Sequence, residues 1–208
     1  LRTKILRLVT DRLLKTAFKA NQTVFFQNKD DAQVLLDRDL LPLKKMALVN
    51  GSGVNLTTFK ETPLPQQTPL TFLFVGRLLK SKGFYEYCEA VQMVRQKYPG
   101  MRYQVLGGYH PNPAQLGREE SVKFMAESGV DYLGEVDDVL PHLKEAHVIV
   151  LPSYREGTPK ALLEALAVGR PLITTNAPGC CETVSEDKNG VLVHVKDPWA
   201  IADAMRFF

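Results

Sequence analysis

Nowhere in the chain is there an apolar run of the roughly 18 residues that mark a membrane-crossing helix, so none is expected. Cysteine is scarce. Cys88, Cys180 and Cys181 are the only three among 208 residues, and they lack the paired spacing of a zinc site. An odd count with one adjacent pair suits a reducing compartment rather than a disulfide scaffold. Of the four histidines only His142 and His147 are close together. Neither has carboxylate or cysteine company, and all four read as non-ligands. No Ser-His-Asp or Cys-His set points to a nucleophilic hydrolase. No G-x-G-x-x-G falls between a strand and a helix, which counts against a nicotinamide-dependent dehydrogenase. The chain opens at Leu1 without an initiator methionine or signal-peptide pattern. It is therefore expected to be an excised piece of a cytoplasmic protein. A net charge of +3, with 45% hydrophobic and 24% charged residues, is ordinary for a globular chain. No nucleic-acid partner is expected.

The first stretch is a basic amphipathic segment. Ile5, Leu8, Val9, Leu13 and Phe18 recur at near-helical spacing, and Arg2, Lys4, Arg7, Arg12, Lys15 and Lys19 oppose a single Asp11. It reads as a surface helix of a larger domain or as a contact with anionic lipid headgroups or a lipid-diphosphate acceptor. Thr23–Phe26 and Ala47–Val49 read as strands, with a helix over about 30–38 capped from Asn28. Asp37-Arg38-Asp39 has a D-x-D form but sits at a helix end without a glycine loop, and is read as chance. Residues 56–69 are rich in Thr, Pro and Gln and read as a linker.

From residue 70 onward strands and helices alternate. Strands are expected at 71–75, 103–106, 130–133, 147–151, 171–174 and 191–194. Helices are expected over 82–98, 113–128, 137–146, from Thr158, and from about 198. Such alternation predicts an α/β fold, a Rossmann-like parallel sheet with helices on both faces. Ligands bind such sheets at the carboxyl ends of the strands. Those ends carry Gly76-Arg77, Gly107-Gly108, Gly134-Glu135, Pro152 to Thr158 and Thr175 to Gly179.

The fullest signal is HVIVLPSYREGTPKALLEALA, residues 147–167. A buried strand ends at Pro152, and a polar loop leads to Thr158-Pro159, read as N-cap and first helical residue. A helix N-terminus offers free N–H groups and a positive dipole end to phosphate. Gly157 allows close approach to the backbone. Glu164 lies six residues past the expected cap, about 9 Å along a helix axis, roughly the reach from a phosphate to a ribose.

The string Pro152-Ser153-x-x-Glu156-Gly157-x-Pro159-x3-Glu164-Ala165 resembles the E-x7-E element of retaining GT-B glycosyltransferases of the family-four type. That group includes bacterial capsule and lipid-linked oligosaccharide enzymes. Gly76-Arg77-Leu78-x3-Lys82-Gly83 resembles the same family's G-R-L-x3-K-G element, whose Arg and Lys hold the donor diphosphate. Fixed cations stabilise the charge that develops on a departing diphosphate, Arg with a planar fork and Lys as a point charge. Lys80 reads as a solvated third cation. Gly134-Glu135-Val136 is similar to the position where family backbone groups meet the nucleobase. Asn176 to Thr183, closing with Glu182, is similar to a further family segment. Cys180 and Cys181 are unusual there; they line the donor-sugar pocket or serve as small apolar fillers, and the filler reading is favoured.

The resemblance implies a half GT-B fold. Residues 1–55 would be the end of the acceptor-binding domain, 56–69 the linker and 70–208 the donor-binding domain. It assigns catalysis to Glu156, Arg77 and Lys82, and donor binding to Gly76, Arg77, Lys82, Gly134, Val136, Glu156, Gly157, Thr158, Pro159 and Glu164. The donor would be a nucleotide sugar, a sugar of uridine diphosphate. The acceptor would be a glycan or lipid diphosphate engaged through the other domain, in surface polysaccharide synthesis. No metal and no cofactor are implied. The expected location is cytoplasmic, with peripheral contact at the inner face of the plasma membrane. A non-catalytic nucleotide-sugar binding module and a GT-B sugar-nucleotide epimerase stay open as alternatives.

Overall fold

The computed structural model describes residues 2–66, 69–109, 117–186 and 188–208. It divides into two compact units, Leu1–Ser52 and Gly53–Phe208.

The first unit holds helix α1 (Arg2–Ala20), strand β1 (Val24–Phe26), helix α2 (Lys29–Asp37) and strand β2 (Met46–Leu48), with β1 and β2 paired in parallel. Asn28 caps α2 by accepting from Asp31 N–H at 2.8 Å. Ala32, Leu40 and Leu41 are buried, whereas Ile5, Leu8, Val9 and Leu13 on α1 stay at least half exposed. The D-x-D residues go to local ion pairs: Arg38 with Asp11, and Asp39 with Lys15 at 2.8 Å.

The second unit is a six-stranded parallel sheet in the order β5-β4-β3-β6-β7-β8. Its strands are β3 (Thr71–Val75), β4 (Arg102–Leu106), β5 (Asp131–Gly134), β6 (Val148–Leu151), β7 (Leu172–Thr175) and β8 (Gly190–Val193). Between and after them lie α3 (Phe84–Lys97), α4 (Arg118–Ser128), α5 (Leu140–Glu145), α6 (Lys160–Ala167) and α7 (Pro198–Phe207). Residues 113–116 of the expected fourth helix lie outside the described residues. From β3 the chain steps one way through β4 to β5; from β6 it steps the other way through β7 to β8. Right-handed crossovers therefore put α3 and α4 on one face and α6 on the other. Helix α7 packs against α3 and so covers the first face. The reversal falls between β3 and β6, the place in such sheets where ligands bind beyond the carboxyl ends of the strands.

Strands β3, β6 and β7 are buried along their whole length, as the apolar runs Phe72–Val75 and Val148–Leu151 require of strands covered on both faces, and in β7 the buried Thr174 hydroxyl donates to Leu151 O at 2.7 Å. Phe72 stacks on Tyr103 at 5.8 Å, and Phe74 meets Tyr87 at 5.6 Å and the edge of Phe84 at 6.3 Å. Burying each of these rings contributes about 1.5–3 kcal/mol. The fully buried Tyr87 hydroxyl donates toward the carbonyls of Phe72 and Gln104 at 3.1 and 3.0 Å, so its polar atom is satisfied.

The amino ends of the strands are tied to the stretch read as a linker. Arg170 is buried and donates to the carbonyls of Thr62, Pro63, Leu143 and Lys144 and to the Thr62 hydroxyl. His147 accepts from Thr71 N–H at Nδ1 and meets the Pro65 carbonyl at Nε2, each at 3.1 Å. Only the neutral ring with its proton on Nε2 satisfies both.

Candidate functional site

At the carboxyl ends of β3 and β6 two loops are pressed together backbone to backbone. Gly76 N–H donates to Leu106 O at 3.0 Å, and Leu78 N–H to Gly108 O at 3.1 Å. With Leu78 and Leu79 buried, Arg77 between the glycine and the leucines is turned outward and exposed. Its guanidinium makes no hydrogen bond or ion pair among the described residues. Lys80–Lys82 form one 3-10 turn closed by Gly83, which has φ 73° and starts α3. A Cβ on Gly83 would overlap the Pro152 carbonyl, so both the left-handed backbone and the close approach require glycine there.

Beyond Pro152 the second loop is pinned residue by residue. Tyr154 N–H donates to Ser81 O at 2.8 Å, and Glu156 N–H to Pro178 O at 2.9 Å. Thr175 donates its hydroxyl to Ser153 O. A Cβ on Gly179, φ 84°, would overlap the carbonyls of both Glu156 and Gly157. The loops after β3, β6 and β7 thus touch without intervening side chains. In the space they enclose, Lys82 Nζ pairs with Glu156 Oε1; the two side chains are 17% and 13% exposed. Cys180 is buried beside this pair. Burial pushes its thiol pKa up, bonds from Thr174 and Thr175 oppose that, and the charges of Glu156 and Lys82 act in opposite directions.

Helix α6 starts one residue later than expected. Pro159, at φ −70° and ψ 114°, is the N-cap, and its carbonyl accepts from Leu162 and Leu163 N–H. The proline's fixed φ suits the cap as well as the first helical position, and ψ, which the ring leaves free, decides between them. Thr158 is therefore not the N-cap, and the N-cap residue, Pro159, has no side-chain hydrogen bond to give this helix. The helix end lies beside the Lys82–Glu156 pair with its first N–H groups outside the intrahelical ladder. Glu164 is on the first full turn of α6, 8% exposed, with Oε1 3.3 Å from Lys160 Nζ.

Gly134 closes β5 at φ 80°, and its carbonyl accepts from Gly107 N–H at 2.8 Å. The Glu135 carboxylate occupies the space a Cβ on Gly108 would need. Val136 is half-buried against the core. These residues lie two strands from β3 in the sheet, about 10 Å away at the usual strand spacing. The structure thus brings Gly76, Arg77, Lys82, Glu156, Gly157, Thr158 and Pro159 together on adjacent strand ends, with Gly134 and Val136 at the sheet's far side and Glu164 within α6. Among the described residues no three His, Cys, Asp or Glu side chains gather as a metal site.

The partnering of two residues here escapes sequence reasoning. Tyr154 donates its hydroxyl to Glu86 Oε1 at 2.5 Å, a pairing across 68 residues with no periodic signal. Ser153 is fully buried, and its hydroxyl has no hydrogen-bond partner among the described residues.

The family model for glycosyl transferases group 1 matches residues 69–208. The chain is 27% identical over 205 residues to N,N'-diacetylbacillosaminyl-diphospho-undecaprenol alpha-1,3-N-acetylgalactosaminyltransferase of Campylobacter jejuni, covering 93% of this chain and 52% of that protein. It is 34% identical over 176 residues to the putative colanic acid biosynthesis glycosyltransferase WcaL of Escherichia coli, covering 80% of this chain and 43% of that one. The chain thus spans about half the length of the curated relatives it matches. Anabaena Alr3699/HepE, solved in complex with UDP and glucose, shares the fold at TM-score 0.76 and 18% identity, over 95% of this chain and 57% of that one.

Proposed function

The chain belongs to the group 1 glycosyl transferases, and from that premise we propose that its second unit binds a nucleotide-sugar donor, a uridine diphosphate sugar, for retaining transfer to a glycan or lipid-linked acceptor in surface polysaccharide synthesis. The observation that carries this reading is the juxtaposition of exposed Arg77, the Lys82–Glu156 pair and the α6 N-terminus on adjacent strand ends. Arg77, Lys82 and the α6 N-terminus are positive features on neighbouring strand ends, and an incoming diphosphate would satisfy them together.

In this reading Lys82 exchanges Glu156 for a phosphate oxygen when donor binds. Glu156, released, accepts hydrogen bonds from the donor sugar's hydroxyls. The bond from the anomeric carbon to the diphosphate oxygen breaks and its electron pair leaves on the diphosphate. Arg77, Lys82 and the α6 dipole hold that charge. The acceptor hydroxyl oxygen bonds to the anomeric carbon on the face the diphosphate vacates, and its proton passes to the departing diphosphate oxygen. Glu164 takes the ribose hydroxyls, and Gly134 and Val136 flank the base. No metal or other cofactor is invoked. HepE's complex with UDP and glucose and the undecaprenol-diphosphate substrate in the Campylobacter protein's name favour the donor and acceptor classes.

A cytoplasmic location with peripheral membrane contact is part of the proposal. No helix among the described residues is long and apolar enough to cross a membrane. The exposed Ile5, Leu8 and Leu13 beside Arg7, Arg12 and Lys15 support contact with an anionic surface; loss of cosedimentation with anionic vesicles after removal of these cations is the check. The decisive experiment for donor binding is thermal unfolding. Uridine diphosphate or its sugars should raise Tm in the presence of chelator. Stabilisation by nicotinamide cofactors alone would overturn the reading.

A further inference from the structure

One residue, through its backbone and its side chain, links both arms of the Lys82–Glu156 pair. Tyr154 stands two residues before Glu156, and its N–H donates to Ser81 O, next to Lys82, at 2.8 Å. Its hydroxyl donates at 2.5 Å to Glu86 Oε1, on the first turn of α3, the helix that Gly83 starts. Building on the donor-site reading above, we propose that Tyr154 is a positioning residue for Lys82: through Ser81 and Glu86 it holds the 3-10 turn so that the ammonium faces the donor diphosphate.

The geometry leaves this turn little freedom. Gly83 already touches the Pro152 carbonyl, so the turn and the loop cannot slide past each other. The second oxygen of Glu86 is buried without a hydrogen-bond partner, which makes the Tyr154 hydroxyl the one hydrogen-bond donor to that side chain among the described residues. Losing that donor would leave the carboxylate, whose second oxygen is already buried and unpartnered, without a hydrogen bond among the described residues. Burial first, then the bond to Glu86 and its charge, raise the phenol's pKa well above its ordinary value, so the hydroxyl keeps the proton it donates. Lys196 Nζ lies 5.1 Å from the ring centroid and fixes the ring's face from the β8–α7 side. Tyr154 thus joins the loops after β3, β6 and β8, while the proposed phosphate ligand on the first of them, Lys82, has its ion pair on the second.

The test is calorimetric titration of UDP and of uridine into the 208-residue chain and its variants. Tyr154→Phe removes only the hydroxyl. It should weaken UDP about tenfold, the scale of one charge-assisted hydrogen bond, and leave uridine unaffected. In a Lys82→Ala background the same substitution should change UDP affinity less than about twofold, since no ammonium remains to be aimed. Glu86→Leu should reproduce the loss, and Glu86→Gln, which keeps an oxygen to accept from the phenol, should recover most of it. The Glu86 pair also carries the test if Tyr154→Phe unfolds too readily to titrate. Wild-type UDP affinity in Tyr154→Phe, or losses from Tyr154 and Lys82 that simply multiply, would overturn the proposal while leaving the donor site standing. A wild type with no Lys82-dependent preference for UDP over uridine would instead overturn the functional reading itself.

Discussion

Two arginines in the second unit sit at opposite poles of the same sheet and live in opposite circumstances. Arg170, at the amino end of β7, is 1% exposed, and its guanidinium spends its donors on backbone carbonyls of Thr62, Pro63, Leu143, Lys144 and Val168 and on one threonine hydroxyl. Arg77, at the carboxyl end of β3, is exposed with a guanidinium unengaged among the described residues. The same planar fork of five donors ties chain segments together at one pole and is available to a ligand at the other. Burial alone would rank Arg170 as the more important residue. The use of the donors separates architecture from binding.

Substitution can sharpen that contrast. The largest effect is expected from Arg170→Met, which keeps much of the apolar stem and strips several buried carbonyls of their donor. It should cost about 3–5 kcal/mol of stability in urea unfolding with uridine diphosphate affinity unchanged under conditions where the variant is folded. Next, Arg77→Ala should shift stability by no more than about 0.5 kcal/mol yet weaken diphosphate binding by roughly 1–3 kcal/mol. Loss of uridine affinity to the same degree would remove Arg77 from the phosphate site. The smallest effect, and the one that can break the comparison, is Glu164→Gln. Glu164 is buried like Arg170 but assigned to ligand like Arg77. If it accepts from ribose hydroxyls, the substitution should weaken the ribonucleotide by about 1 kcal/mol and the 2′,3′-dideoxy analogue hardly at all. Equal losses would place Glu164 with the architecture.

The strands of the second unit were legible because burial on both faces writes a continuous apolar run, as in Phe72 to Val75 and Val148 to Leu151. Glycine and lysine after β3, and the loop after β6, were legible through spacing within a few residues. The misplaced start of α6 turned on the ψ of Pro159, which residue identity does not fix. Arg170, Tyr154 and His147 were opaque for a different reason. Their roles depend on partners 108, 68 and 76 residues away, and a polar side chain's partner is decided by the topology that brings the segments together. Nothing near His147 in the sequence announces the Thr71 N–H and the Pro65 carbonyl that set its tautomer. Cys180, read as filler, is indeed buried, and its position against Lys82 and Glu156 emerges only once β7 lies beside β6.

The sheet order also governs how the protein comes into being on the ribosome. Strand β3 is central, and while β4 follows it closely, its other neighbour β6 is made much later; Thr71 and His147, which meet there, are 76 residues apart. Until Val148–Leu151 emerges, the nascent chain carries an unsatisfied apolar strand edge, the kind of surface that chaperones bind and that pairs wrongly with other chains. Such long-range closure also slows refolding. Arg77 and Lys82 are synthesised during this interval, before the strand that completes their sheet and before the carboxylate of Glu156 that answers the Lys82 ammonium.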